Sequence, residues 1–225
     1  MTTFALVHGA YGSGALWAPL AGELEARGHR AVAPDLPIGD REARFSDFAR
    51  VVVDSIGEAG GDDVVVVGHS MGGATAALVA DARPVRELVY LAALLPRPGA
   101  PLTEVFASEP SMMLPELPAA EVKGEDGLRH LPPDAAEQLL FHDAPDPARW
   151  AGGVRGQAVT PYFEPCPLDA LPPGRYVVCR EDRVVSPAWG REAAPRLLGR
   201  AAEELDGGHC PQVARPAELA DLLGA

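Results

Sequence analysis

The hydrophobic pattern of the first 95 residues alternates between short apolar runs and longer amphipathic segments. The short runs predict strands at residues 3–8, 30–34, 63–67 and 87–91. Segments with apolar residues at helical spacing, each followed by glycine, predict helices at residues 16–27 and 45–56. Strands that alternate with helices imply an α/β protein in which helices cover both faces of a mostly parallel sheet.

The pattern changes after residue 95, where prolines crowd the chain up to residue 173 and the predicted helices are short. We expect residues 96–164 to form a lid over the carboxyl ends of the strands, inserted between core segments 1–95 and 165–225. The alternative is a disordered linker. Apolar side chains throughout the segment argue against it, namely Leu114, Leu139, Leu140, Phe141, Trp150, Tyr162 and Phe163. Strands then resume at 175–179 and 201–205, with helices predicted at 187–198 and 216–223.

The valine run at 64–67 leads into Gly68-His69-Ser70-Met71-Gly72-Gly73 and an alanine-rich segment. The valines predict a strand buried on both faces, and the alanines predict a buried helix. Glycines two positions before and after Ser70 permit a tight turn between the two elements. This turn presents the Ser70 hydroxyl beside the helix amino terminus, so Ser70 is a candidate nucleophile.

A serine hydroxyl needs a base at neutral pH, and six histidines are available. His209 follows the last predicted strand on a Gly-Gly turn, at the edge of the sheet where Ser70 is expected. His8 and His69 are expected to orient loops instead. A carboxylate must hold the imidazole. Asp182 and Glu181 both follow the strand at 175–179 and compete for this role.

Two backbone N–H groups are needed where negative charge develops on the reacting carbonyl. The N–H of Met71, directly after the nucleophile, is one candidate. The other is the N–H of Ala10 in the loop after the first strand, where Gly9 lets the backbone approach closely. Candidate walls of a substrate pocket are aromatic: Tyr11, Trp17, Tyr162 and Phe163.

These motifs resemble those of the α/β-hydrolase superfamily. Within it, they resemble the compact branch that is related to plant methyl esterases and hydroxynitrile lyases. The resemblance is carried by Leu6-Val7-His8-Gly9-Ala10, Ala33-Pro34-Asp35-Leu36-Pro37, the Gly-His-Ser-Met-Gly-Gly turn and Gly207-Gly208-His209. It implies an α/β-hydrolase fold with six parallel strands. The pattern of a strand, a short turn, an aspartate and a later proline, here Pro187, implies Asp182 as the acid in place of Glu181. The chain order Ser70, Asp182, His209 matches the catalytic triad of the superfamily. The lyases carry threonine at the position of Gly9 and lysine at that of Cys210, so the resemblance disfavours lyase activity.

The composition limits the kinds of partner that we expect. The net charge of −13 argues against nucleic acid or an anionic membrane as a binding partner. The absence of a long apolar run or a leader pattern leads us to expect a soluble cytoplasmic protein. Three cysteines without metal-site spacing suggest neither a disulfide framework nor zinc, and we expect no metal and no cofactor. Oligomeric state is not indicated, and a homodimer is left open.

Three functions therefore compete. The first is a serine hydrolase that cleaves a small apolar or aromatic carboxylic ester, or a thioester, through an acyl-enzyme. The second is a lyase or other carbon–carbon or carbon–heteroatom chemistry on the same triad. The third is a ligand receptor built on a hydrolase scaffold. Turnover of short acyl esters distinguishes the first from the other two.

Overall fold

The computed structural model describes residues 1–225 and contains eight strands. They are β1 (Thr3–Val7), β2 (Arg30–Val32), β3 (Val64–His69), β4 (Glu87–Leu91), β5 (Val122–Lys123), β6 (Arg129–His130), β7 (Arg175–Cys179) and β8 (Glu203–Leu205). Six of them form one sheet in the order β2-β1-β3-β4-β7-β8. Every neighbouring pair in this sheet is parallel, which confirms the predicted six-stranded parallel sheet.

Helices cover both faces of the sheet. They are α1 (Ala18–Ala26), α2 (Phe45–Ile56), α3 (Gly72–Ala82), α4 (Leu102–Ser108), α5 (Glu116–Ala120), α6 (Pro133–Leu139), α7 (Pro147–Ala151), α8 (Thr160–Phe163), α9 (Pro187–Leu198), α10 (Pro211–Ala214) and α11 (Pro216–Leu222). Apolar residues of α2, α3 and α9 form the core on one face, and those of α1 and α11 form the core on the other. No helix is both long enough and apolar enough to cross a membrane.

Strand β3 runs through the middle of this arrangement. Val64 and Val66 point into the first core, whereas Val65 and Val67 point into the second, and all four are fully buried. A central strand covered on both faces can be apolar at every position, which explains the unbroken valine run. The carboxyl end of this strand is therefore held firmly where Ser70 follows.

Residues 96–164 contain α4 to α8 and a small antiparallel pair formed by β5 and β6. Leu139, Leu140 and Phe141 are buried within the main core, so this part of the segment packs against the rest of the chain. We refer to residues 96–164 as the lid, and its function as a lid is a prediction. Backbone hydrogen bonds join the two ends of the segment, from Gly99 to Cys166 at 2.9 Å and from Cys166 to Ala100 at 3.1 Å. The boundaries drawn at 96 and 164 stay a prediction.

Several elements were not predicted or differ in their bounds. The pairing of β5 with β6 and the short helices α5, α8 and α10 are new. The segment at 16–27 begins as a 3-10 turn, Gly14–Trp17, and becomes α-helical only at Ala18. Strands of two residues and helices of one turn carry too little periodicity to be detected in a sequence.

Candidate active site

Ser70 lies in the sharp turn between β3 and α3 and adopts a left-handed backbone conformation, with φ of 54°. Such a conformation strains a residue with a side chain, and it persists because the neighbouring backbone is fixed. The Ser70 N–H donates to Leu91, and its carbonyl accepts from Gly73 and Leu94. Ser70 is therefore held rigidly at the carboxyl edge of the sheet.

The glycines around Ser70 are required by close packing. A Cβ atom at Gly68 would lie 2.5 Å from Ala76 Cβ, and one at Gly72 would lie 2.5 Å from the Val7 carbonyl oxygen. Both distances are well inside van der Waals contact. The two glycines therefore let α3 approach the sheet closely enough to form the turn.

His209 and Asp182 form a buried pair at the same edge of the sheet. The Nδ1–H of His209 donates to the two carboxylate oxygens of Asp182, at 2.8 and 3.0 Å. The same carboxylate accepts from the N–H groups of Val184 at 2.7 Å and Val185 at 3.0 Å. A buried carboxylate needs several donors of this kind, so Asp182 is fixed as the partner of His209. Glu181, the competing candidate, is exposed.

Ser70 and His209 line one recess of about 20 Å³, together with Gly9 and Ala10. Because Asp182 occupies Nδ1, Nε2 is the ring nitrogen of His209 that is left to accept a proton. The structure contains no hydrogen bond between the Ser70 hydroxyl and this ring. Catalytic hydrogen bonds are commonly long in the absence of substrate and tighten in the complex.

Two backbone amides beside Ser70 are available as donors. Neither the N–H of Ala10 nor that of Met71 donates to a backbone carbonyl elsewhere in the chain. Both residues line a cavity that Ser70 also lines. Met71 directly precedes α3, so its N–H adds to the positive end of the helix dipole.

His8 fixes the loop that carries Ala10. Its Nε2 accepts from the Leu36 N–H at 3.0 Å, so its Nδ1 must carry the proton and donate to the Gly9 carbonyl at 2.9 Å. Burial lowers the pKa of His8 to about 4, so the ring is neutral at pH 7. This agrees with the expected role of His8 in orienting a loop.

His69 supports the segment that carries His209. Its Nε2–H donates to the main-chain carbonyl of His209 at 2.7 Å, and the two rings lie 4.6 Å apart between centroids. Burial, followed by the nearby His209 ring, holds the pKa of His69 well below its usual value. A neutral ring here adds no positive charge against the imidazolium that would form on His209.

A larger cavity of about 370 Å³ opens between Ser70 and the lid, and its lining is mostly apolar. Of the predicted pocket walls, Tyr11, Tyr162 and Phe163 line it, and Phe163 is 64% exposed. The prediction for Trp17 needs correction. Trp17 is fully buried in the core on the face of α1 and α11, where its ring packs edge-on against His69. The apolar pattern showed that Trp17 was buried but not on which side of the sheet.

Two polar contributions from the lid were not predicted. Asp143 accepts from the Gly208 N–H at 2.8 Å and so braces the turn that carries His209. Gln157 is 1% exposed and lines the large cavity. Neither belongs to a recognisable motif, and contacts across many residues leave no signal in one sequence. No group of three or more His, Cys, Asp or Glu side chains is placed to hold a metal ion.

Several known proteins are similar to this chain in sequence or in structure. A pyrethroid hydrolase of Sphingobium wenxiniae (strain DSM 21828 / CGMCC 1.7748 / JZ-1) is 29% identical over 247 residues, covering 99% of this chain and 86% of the relative. Methylesterase 7 of Arabidopsis thaliana is 34% identical over 114 residues, which cover 46% of this chain and 44% of the methylesterase. The crystal structure of polyneuridine aldehyde esterase matches with a TM-score of 0.81 at 19% identity, covering 99% of this chain and 98% of that one.

The predicted resemblance to a branch that includes plant methyl esterases is confirmed by Methylesterase 7 and by the match to a family model. A model of the Alpha/beta hydrolase family matches residues 4–222. Because this match spans nearly the whole chain and agrees with the observed sheet, the chain belongs to the Alpha/beta hydrolase family.

Proposed function

We propose that this protein is a serine hydrolase that cleaves a small apolar or aromatic carboxylic ester, or a thioester, through an acyl-enzyme. The observation that carries the proposal is the buried His209–Asp182 pair, whose imidazole lines the same recess as the strained Ser70. The names of the relatives, a pyrethroid hydrolase and a methylesterase, support ester cleavage.

The first half of the reaction forms the acyl-enzyme. Ser70 Oγ attacks the ester carbonyl carbon while its proton moves to His209 Nε2. Asp182 stabilises the resulting imidazolium through the hydrogen bond to Nδ1–H. The tetrahedral intermediate then collapses, the bond to the alcohol oxygen breaks, and that oxygen takes the proton from His209.

The second half releases the acid. Water attacks the acyl carbon while its proton moves to His209, and the Ser70 oxygen leaves and regains that proton. The recess that Ser70 and His209 both line, about 20 Å³, is large enough for a single water molecule. In both halves, the negative charge on the carbonyl oxygen would be stabilised by the N–H groups of Ala10 and Met71. Donors of this kind contribute about 10²- to 10³-fold each to kcat.

The cavity supports the substrate class. Its volume of about 370 Å³ suits a small ester, and its lining includes Leu94, Phe106, Met113, Leu117 and Tyr162. Such a lining favours an apolar or aromatic group and gives no general advantage to a highly charged one.

Lyase chemistry finds less support. A side chain at position 9 would begin 2.7 Å from Ser70 Cβ, so the threonine hydroxyl of the lyases has no room in this backbone. At position 210, burial raises the pKa of the cysteine thiol well above its usual value, so Cys210 is neutral. It cannot supply the positive charge that the lysine at this position supplies in the lyases. A ligand receptor would need the same cavity but no turnover.

Turnover of esters tests the proposal. Wild type incubated with 4-nitrophenyl acetate, propionate and phenylacetate is expected to release nitrophenolate in a burst equal to the enzyme concentration, followed by steady turnover. Ser70→Ala is expected to lose both phases while it keeps its melting temperature. Turnover that survives in Ser70→Ala, or no turnover of any ester by wild type, contradicts the proposal. Tight binding of an ester without turnover would favour the receptor.

A further inference from the structure

A second cavity, of about 200 Å³, lies near the candidate active site. Neither Ser70 nor His209 lines it, so the proposed reaction does not use it. Its walls come from the first turn of α2, from α3, from the start of α4 and from residues 164–167. Its apolar lining includes Phe45, Ala74, Leu78 and Leu102. A hollow with this lining suits an apolar group.

Only a thin wall separates this second cavity from the main cavity of about 370 Å³ beside Ser70. In three stretches of the chain, residues within two positions of each other line different cavities. With the residue of the main cavity first, the pairs are Leu94 and Pro96, Thr103 and Leu102, and Phe163 and Glu164. Because neighbouring Cα atoms are only about 3.8 Å apart, roughly one layer of side chains divides the two cavities.

Two aromatic rings form part of this wall. Tyr162 lines the main cavity and Phe45 lines the second one. Their rings pack edge to face, with centroids 6.0 Å apart. The Tyr162 ring also packs against Phe106 of α4, with centroids 6.3 Å apart. The pair of Tyr162 and Phe45 therefore spans the wall from one cavity to the other.

Polar contacts at both ends of α8 hold the wall in place. The Thr160 hydroxyl donates to the Arg41 carbonyl at 2.7 Å. At the other end, the Glu164 carboxylate lies 3.5 Å from the Arg44 guanidinium. Arg41 and Arg44 belong to the segment just before α2, so these contacts tie α8 to the start of that helix. They therefore keep the two rings of the wall together.

We propose that Tyr162 and Phe45 close the main cavity on the side of α2 and thereby set the greatest length of the apolar group that the enzyme accepts. This inference rests on the proposed function and deepens it. An apolar group gains contacts with each added methylene until it reaches the rings. A longer group must displace packed side chains, which is unfavourable. The length limit is therefore a property of two residues, and the second cavity lies unused behind them.

Esters of increasing length test the inference. 4-Nitrophenyl esters of straight-chain acids, from acetate to decanoate, lengthen the acyl group, and straight-chain alkyl acetates, from methyl to octyl, lengthen the alcohol group. In at least one series, kcat/KM of wild type is expected to rise about 3- to 4-fold with each added methylene and then to stop rising at a definite length. If neither series rises and then stops, the inference is overturned.

Variants of Tyr162 locate the limit. Tyr162→Ala is expected to lengthen it by about two carbons or more, so that kcat/KM for esters beyond the wild-type limit rises about 10-fold relative to the shortest ester. Tyr162→Phe keeps the ring and should keep the wild-type limit. Tyr162→Leu should shift the limit in the same direction as alanine, and it takes the place of the alanine variant if that one does not fold. An unchanged limit in Tyr162→Leu and Tyr162→Ala, or an equal shift in Tyr162→Phe, contradicts the inference.

Ala74→Leu tests whether the added length comes from the second cavity, since Ala74 lines that cavity and not the main one. Alone, it is expected to leave the wild-type limit unchanged. Combined with Tyr162→Ala, it should lower kcat/KM for the longest esters by about 3-fold or more, because leucine occupies the space that was opened. A shorter limit in Ala74→Leu alone would show that wild-type substrates already enter the second cavity. A double variant that behaves like Tyr162→Ala would show that the second cavity is not reached. Either result overturns the inference.

Binding separates this inference from the proposed function. Calorimetric titration of Ser70→Ala with the same esters measures the length limit without turnover. If esters bind with a limit that Tyr162→Ala extends but are not hydrolysed by wild type, the proposed function fails and the wall stands. If esters are hydrolysed but neither binding nor kcat/KM shows a limit, the wall fails and the proposed function stands.

Discussion

Gly9 lies against Ser70 so closely that a Cβ atom at position 9 would come within 2.7 Å of Ser70 Cβ and 3.3 Å of its hydroxyl oxygen. The loop that offers the Ala10 N–H is thus in direct contact with the candidate nucleophile. The contact sets the distance between the nucleophile and one of the two expected oxyanion donors. It also links the loop after β1 to the turn after β3.

Gly9→Ala is therefore expected to reduce kcat strongly, by about 10²-fold or more, because the new methyl group must displace either Ser70 or the Ala10 amide. The matched control is Gly22→Ala in α1, where a Cβ atom would meet nothing within 4 Å. This control should keep full activity and gain about 0.5–1 kcal/mol of stability from helix propensity. Steady-state kinetics and urea unfolding check both variants. Equal activities of Gly9→Ala and wild type would show that the contact is unimportant.

Asp182→Asn is expected to lower kcat by about 10⁴-fold, since an amide cannot hold the Nδ1–H tautomer of His209 or stabilise its cation. Asp143→Asn is the matched control, because Asp143 bonds to the Gly208 N–H and makes no hydrogen bond to the His209 ring. The control is expected to lose less than about 10-fold in kcat, because this substitution leaves the reacting groups in place. If Asp143→Asn lost as much activity as Asp182→Asn, the choice of Asp182 as the acid would be contradicted.

Stability is expected to fall as the pH is lowered from 6.5 toward 4, because His8 stays neutral in the native state. Its native pKa of about 4 lies below the value of 6.5 in the unfolded chain, so the unfolded chain binds the proton first. The free energy of unfolding should therefore fall by up to about 3 kcal/mol over this range on account of His8. His69, whose pKa is also lowered by burial, adds a fall of the same sign.

The His8→Gln variant isolates this effect. Glutamine can accept from the Leu36 N–H and donate to the Gly9 carbonyl without titrating. Urea unfolding at a series of pH values between 7 and 4.5 should show that the variant has a slope shallower by about 1.4 kcal/mol per pH unit. Identical slopes for the variant and wild type would mean that His8 takes up a proton in the native protein as readily as in the unfolded chain.

The central strand, the turn at Ser70 and the helix that follows could be predicted because the information for them is local. The valine run of β3, the glycines around Ser70 and the small residues of α3 are consecutive in the chain. In a parallel sheet, the residues after successive strands meet at one edge, so His209 and Asp182 could be placed near Ser70 from their positions after β8 and β7. Their hydrogen bond in the structure agrees with that reasoning.

The rest of the site could not be predicted because it depends on contacts distant in sequence. Trp17 was expected to line the pocket, but the packing of α1 against the opposite face of the sheet places it in the other core. Gln157 is held in position by a backbone bridge to Arg129, which lies 28 residues earlier in the chain. Proline-rich segments with strands of two residues have no periodic pattern that would reveal such pairing.

Covalent labelling with a fluorophosphonate probe tests the central claim most directly, since it detects an activated serine without knowledge of the substrate. After labelling of the intact protein and digestion, mass spectrometry is expected to find one adduct per chain, on Ser70, and His209→Gln should slow its formation by orders of magnitude. An adduct on another residue, no adduct, or labelling of Ser70 at the same rate in His209→Gln would contradict the account.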